Sequence, residues 1–224
     1  MVKGVIFDMD GTMFDTERWY TDCWQVSAGN MGIDPVPMEL IENCRAKRPE
    51  AIERLFKEHY GEDFDFLTLV TGRDAAFNDK LEKEGVPIKP GLLELMAYLK
   101  DKKMPMAVAT ATGGARAPKT LKMAGVYDDM DVIVYGDSCE HGKPAPDIFH
   151  LAAKKLGLDP ADCLVIEDTT PGIIAGIRAG GYIIHVPDVM KIPQDVLDQC
   201  DAIMDDLEQV ISWIENMNAL REGE

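Results

Sequence analysis

The sequence predicts an α/β fold: a doubly wound, Rossmann-like parallel sheet core carrying an inserted α-helical cap domain. Three observations predict it. Short apolar runs, too brief for helices, recur along the chain and end in polar or small residues. Amphipathic stretches at helical spacing separate them, the alternation expected of a parallel sheet. One long interval breaks the alternation and carries helical patterns alone.

The first strand is Gly4–Phe7. The interval that follows reads as four helices, Trp19–Met31, Pro37–Ala46, Pro49–Tyr60 and Phe66–Leu81, flanked by the connectors Asp15–Thr16 and Pro87–Gly91. The division expected is a catalytic core of residues 1–16 and 87–224 and a helical insert of residues 17–86. Leu92, Leu95, Met96 and Leu99 then mark a helix after Pro90–Gly91. Met106–Ala109 and Val132–Val134 are the next strands, and Phe149, Ala152, Ala153 and Leu156 a helix opened by Pro146. Leu164–Ile166 is a fourth strand, Ile173, Ile174 and Ile177 a helix after Pro171, and Tyr182–Val186 a fifth strand. Val210, Ile211 and Ile214 form the last helix. An insert placed after the first strand sits above the C-terminal edge of the sheet, where open α/β folds bind ligands.

Composition narrows the function. The chain has 224 residues, 46% hydrophobic and 28% charged, the balance of a soluble globular protein. Its formal net charge of −17 argues against a nucleic-acid partner, which needs Lys and Arg to neutralise phosphates, and against an anionic membrane surface. An anionic substrate would be repelled by the global field, so its site must carry local cations. Screening confines each charge to about 8 Å at physiological salt, so a few suffice. The five cysteines form no C-x-x-C pair and are odd in number, which predicts reduced thiols in a cytoplasmic protein. The opening MVKGVIFDMD meets an acidic residue too soon for a signal peptide, and no run approaches the roughly 18 apolar residues of a membrane span. A monomer is expected.

Two acid clusters end strands. Asp8 and Asp10 follow the first strand in Asp8-Met9-Asp10-Gly11-Thr12, and buried carboxylates there are costly unless compensated. A divalent cation would compensate them, and Mg²⁺ takes one or two carboxylates with waters and substrate phosphate. The alternative is a plain Asp-Gly turn. Glu167 and Asp168 close the fourth strand, where the alternative is a helix cap. Thr110 closes the second strand and could donate to a phosphoryl oxygen, or be satisfied by backbone. Lys143, in the proline-stiffened Gly142–Asp147 loop, could offset charge in a transition state or stand as a surface lysine.

Together the four segments resemble the haloacid dehalogenase superfamily, with FDMDGT, VATAT, GKPAPD and IEDTTPG matching its four motifs in order over nearly the whole chain. The insert resembles the helical cap of the β-phosphoglucomutase-like subfamily. The resemblance implies Asp8 as nucleophile and Asp10 as the acid that protonates the leaving oxygen and then activates water. It implies Mg²⁺ on Asp8, the backbone carbonyl of Asp10 and Asp168, with Glu167 in or beside the shell, and Thr110 and Lys143 holding phosphoryl oxygens. Arg48 resembles a cap arginine that meets substrate. Arg45, Arg73 and Thr16 are further candidates for substrate contact. Arg45 stands where the family often has glycine, Tyr20 where the sugar-phosphate mutases have histidine, and Thr112-Gly113-Gly114 replaces a Ser-rich loop.

The resulting expectation is a Mg²⁺-dependent phosphatase of a small phosphorylated metabolite, a sugar phosphate foremost. A β-phosphoglucomutase with the same nucleophile, and a non-catalytic binding module on the same fold, are the alternatives.

Overall fold

The computed structural model describes residues 1–222 apart from positions 46, 48 and 115. Its strands are β1 (Gly4–Phe7), β2 (Met106–Thr110), β3 (Val132–Tyr135), β4 (Cys163–Glu167), β5 (Tyr182–His185) and β6 (Ala202–Ile203). They form one parallel sheet in the order β3-β2-β1-β4-β5-β6. The order reverses between β1 and β4, and a crevice opens at such a point at the carboxyl ends of the strands.

The strand residues alternate between two apolar layers, as side chains on a pleated strand must. Val5, Phe7, Val108, Leu164 and Ile166 face the helices α5 (Leu92–Asp101) and α10 (Gln209–Glu222). Ile6, Ala107, Ala109 and Val165 face α7 (Asp147–Leu156) and α8 (Thr170–Ala179). Strands buried on both faces read as unbroken apolar runs, which is why β1, β2 and β4 are visible in the sequence.

Helices α1 (Glu17–Met31), α2 (Met38–Cys44), α3 (Pro49–Tyr60) and α4 (Phe66–Glu84) pack around clusters of their own. Trp24, Leu40, Ile41, Phe56, Phe66 and Leu69 form one, with the Trp24 ring stacked on Phe56 at 4.8 Å. Tyr20, Cys23, Phe77 and Leu81 form another, with Tyr20 stacked on Phe77 at 4.3 Å. The connectors run side by side: Asp15 N donates to Pro87 O at 2.8 Å, Lys89 N donates to Met13 O at 3.0 Å, and Phe14 bridges Ile88.

Several boundaries differ from expectation. The predicted helix Pro37–Ala46 is described only over Met38–Cys44: Arg45 takes φ −59, ψ 139, and position 46 lies outside the described residues. Helix α4 runs past Leu81 to Glu84 and stops at Gly85, whose φ of 78 favours glycine. Strand β6 and the helices α6 (Ala117–Met123) and α9 (Gln194–Leu197) were too short to leave a periodic signal. No described helix is long and apolar enough to cross a membrane.

Candidate active site

Asp8 follows β1 directly and is 6% exposed. Lys143 comes in from the loop before α7 and spends its three protons on Asp8 Oδ1 at 2.5 Å, Glu167 Oε1 at 2.6 Å and Ala109 O at 3.1 Å. It is a buried, fully satisfied ammonium, not a surface lysine. Glu167 ends β4, and its Oε2 accepts from the backbone N–H groups of Asp168 and Thr169 and from the Thr169 hydroxyl. Helix α8 passes so close that a Cβ on Gly172 would lie 1.7 Å from Glu167 Oε1, so glycine is required there.

Burial dominates the electrostatics. It pushes the Asp8 carboxyl up, opposed by the Lys143 ammonium and aided by the Glu167 charge. Burial and the charges of Glu167 and Asp8 push Asp168 well above the carboxylate range. For Lys143 burial favours the neutral form, but the charges of Asp8 and Glu167 outweigh it and hold the lysine charged. Three buried acids thus share one cation, and a further positive charge would relieve them.

Oxygen atoms of Asp8, Glu167 and Asp168 lie within 4.8 Å of one another. Asp168 Oδ1 accepts from the Thr12 hydroxyl at 2.9 Å, while its Oδ2 is buried with no partner among the described residues. An orphaned carboxylate oxygen in a hard-oxygen cluster fits a divalent cation. The Asp10 side chain points elsewhere, so a cation beside Asp8 would meet Asp10 through its backbone.

The Asp10 carboxylate is held by two hydroxyls, Thr16 Oγ1 at 2.7 Å and Thr112 Oγ1 at 2.6 Å. Thr16 is fully buried, is not among the residues lining the cavity, and its hydroxyl is directed at Asp10. Thr112 in turn accepts from Arg116 Nη2 at 2.5 Å, which lies 3.6 Å from Asp10 Oδ2. Thr110 is buried, and its Oγ1 accepts from Thr112 N at 3.0 Å, leaving the O–H to donate.

A cavity of about 340 Å³ stands over these groups, between the sheet edge and helices α1–α4. Asp8, Asp10, Thr110 and Lys143 line its floor, and Arg45, Lys47, Arg73 and Arg116 its walls. Like Arg116, the other two described wall arginines have partners. Arg45 is ion-paired with Glu17 and donates to Thr21 Oγ1 at 3.2 Å. Arg73 donates twice to Asp74 Oδ1, at 2.9 and 2.6 Å, with its guanidinium 4.3 Å from the centre of the Trp24 ring. Arg48 lies outside the described residues. Sequence reasoning missed Lys47 and Arg116. Arg116 packs 4.4 Å over the Tyr20 ring, a contact between distant segments that no local pattern announces. The only hint was the unusual loop before it.

The family model described as a haloacid dehalogenase-like hydrolase matches residues 2–180. A probable pseudouridine-5'-phosphatase of Drosophila melanogaster is 32% identical over 193 residues, covering 84% of this chain and 82% of that protein. Hexitol phosphatase A of Escherichia coli (strain K12) is 30% identical over 208 residues, 93% of each chain. Among solved structures, a beta-phosphoglucomutase from Clostridium difficile superposes with a TM-score of 0.80 at 23% identity, covering 100% of both chains.

Proposed function

Because this chain belongs to the haloacid dehalogenase-like hydrolases, and is a phosphoric monoester hydrolase of that family, we propose that it hydrolyses a sugar phosphate or similarly small phosphorylated metabolite through an aspartyl-phosphate on Asp8, with Mg²⁺ as cofactor. The observation that carries the reading is the different restraint of two neighbouring carboxylates. Asp8 is fixed on the cavity floor by Lys143, and the Asp10 carboxylate beside it is held by the hydroxyls of Thr16 and Thr112. One is placed to attack and the other to exchange protons.

In this reading an Asp8 oxygen attacks phosphorus, the bond to the leaving oxygen breaks, and Asp10 gives that oxygen its proton. Asp10 then takes a proton from water as the water oxygen attacks phosphorus and the bond to Asp8 breaks, releasing phosphate and restoring the Asp8 carboxylate and the protonated Asp10. Lys143 and the Thr110 hydroxyl stabilise the equatorial phosphoryl oxygens, and positioning of this kind supplies most of the acceleration in phosphoryl transfer. Asp8, Asp168 and the backbone of Asp10, with Glu167 beside them, would hold Mg²⁺. The bound cation suppresses repulsion between anionic nucleophile and anionic substrate. Residues 17–86 act as a cap that closes over the leaving group. The free cysteines support a cytoplasmic location.

The curated relatives favour hydrolysis over the isomerase alternative. The test is a panel of sugar, sugar-alcohol and nucleoside monophosphates with phosphate release followed in Mg²⁺ and in EDTA. β-Glucose 1-phosphate with catalytic 1,6-bisphosphate is included, coupled to glucose-6-phosphate dehydrogenase. The expected result is Mg²⁺-dependent phosphate release from at least one member. Glucose 6-phosphate forming faster than phosphate would replace the hydrolase with a mutase, and no turnover of any ester would remove the catalytic reading.

A further inference from the structure

One buried ion pair beside the acid cluster has no part in the chemistry above. Asp188 lies in the turn after β5 with its side chain 1% exposed, and its Oδ1 accepts from Lys89 Nζ at 2.7 Å. Its Oδ2 is buried and has no hydrogen-bond partner among the described residues, and the same is true of Asp168 Oδ2. The two orphaned oxygens converge on one place. Gly11, at φ 88, sits between them, and a Cβ there would lie 2.2 Å from Asp168 Oδ2 and 3.0 Å from Asp188 Oδ2. Their separation is therefore within the span of one shared hydrogen-bonding group.

Two unpartnered carboxylate oxygens facing each other inside a protein need a proton donor or a cation between them. No described side chain supplies one, and glycine leaves the space free of carbon. Asp188 is not itself in the Asp8–Glu167–Asp168 cluster, so it stands one layer further out. Its negative charge also reaches the site, since it helps to raise Glu17.

We infer that Asp188 is a positioning residue for the divalent cation: its Oδ2, beside Asp168, would orient the cation's hydration, and Lys89 on the other oxygen offsets part of its charge. The inference rests on the metal-dependent reading above. Groups of this kind orient ligands and hydration around a metal, and losing one costs about ten- to hundredfold in metal affinity. Lys89 also lies in the connector that leads back from helices α1–α4, which ties the cation's surroundings to the root of that segment.

Two substitutions separate this role from a structural one. Asp188→Asn keeps the shape and an acceptor for Lys89 but removes charge beside the cation. Lys89→Gln removes a competing positive charge and leaves Asp188 anionic. Mn²⁺ is the probe, titrated into the full-length chain without substrate, with the free ion counted by electron paramagnetic resonance. Folding of each variant is checked by circular dichroism in EDTA. The expected result is one Mn²⁺ site in the wild type, weakened about ten- to hundredfold by Asp188→Asn and tightened severalfold by Lys89→Gln. Unchanged affinity in Asp188→Asn overturns the inference while leaving the metal reading intact, and so does weakening by both variants, the signature of a broken structural pair. A wild type that binds no Mn²⁺ overturns both. Should Asp188→Asn fail to fold, the direction of the Lys89→Gln change decides.

Discussion

The floor and the walls of the cavity hold their charges in different ways. On the floor, Lys143 is 2% exposed at its side chain and bonded to groups ending three strands or following them, and Glu167 has both oxygens engaged. On the walls, Arg45 and Arg73 each lean on one acid nearby, Glu17 and Asp74, and both acids are carried by α1 and α4 themselves. The floor is knitted from segments far apart in sequence and cannot change at one position without loss elsewhere. The walls are neutralised locally, so a wall residue can be exchanged while the floor stands. A shared chemistry with variable leaving groups is what such a division permits.

The sharpest way to break the comparison is at the floor. Asp8→Asn should lower kcat at saturating Mg²⁺ by more than about a thousandfold, because an amide is a poor nucleophile and gives up the charge a cation needs. Circular dichroism should show the fold retained. Activity within tenfold of wild type in a folded variant would sink the assignment of Asp8.

Arg116 sharpens the comparison because it joins both sides, bonding Thr112 of the floor while packing on Tyr20 of α1. Arg116→Met should lower kcat/KM about ten- to hundredfold, because it removes the cation that bonds Thr112 beside Asp10. Arg73→Met should change it by less than about threefold, because its guanidinium is already spent on Asp74. Steady-state kinetics on one ester from the panel compare the two, and equal effects would erase the distinction between them.

The smallest effect concerns pH. Burial and the Asp10 charge raise Glu17 from 4.5 to about 7, against the pull of Arg45. The folded protein therefore keeps a proton that the unfolded chain releases near pH 4.5, and the stability this supplies is lost as pH rises through about 7. Glu17→Gln removes that loss. In EDTA, its stability relative to wild type should improve between pH 4.5 and 7.5 by an amount on the order of 1–3 kcal/mol, measured by urea unfolding. Parallel pH profiles would show that Glu17 does not titrate in this range.

What was legible in the sequence follows the same division. Asp8, Thr110 and Glu167 end or follow buried strands, so an apolar run followed by a polar residue announces each one. Lys143 was visible through the prolines that fix its loop. Thr112 and Arg116 were not legible as partners of Asp10, because their contacts cross about a hundred residues and arise only when the sheet closes. Thr16 was a candidate for substrate contact, and its hydroxyl turns inward to Asp10, a contact that no local pattern announces. Strand β6 has two residues, too few for any period to register.

The paired connectors carry one more consequence. Because Asp15 and Pro87 are a single hydrogen bond apart, the chain leaves the sheet and returns to it at one point. The stretch between them also meets the rest of the molecule through side chains, such as Lys119 with Asn78 and Glu82 and Arg116 with Tyr20. Among the described residues, no strand pairing of the sheet uses a residue between positions 16 and 86, so the length and sequence of that stretch can drift with the ladder of the sheet untouched.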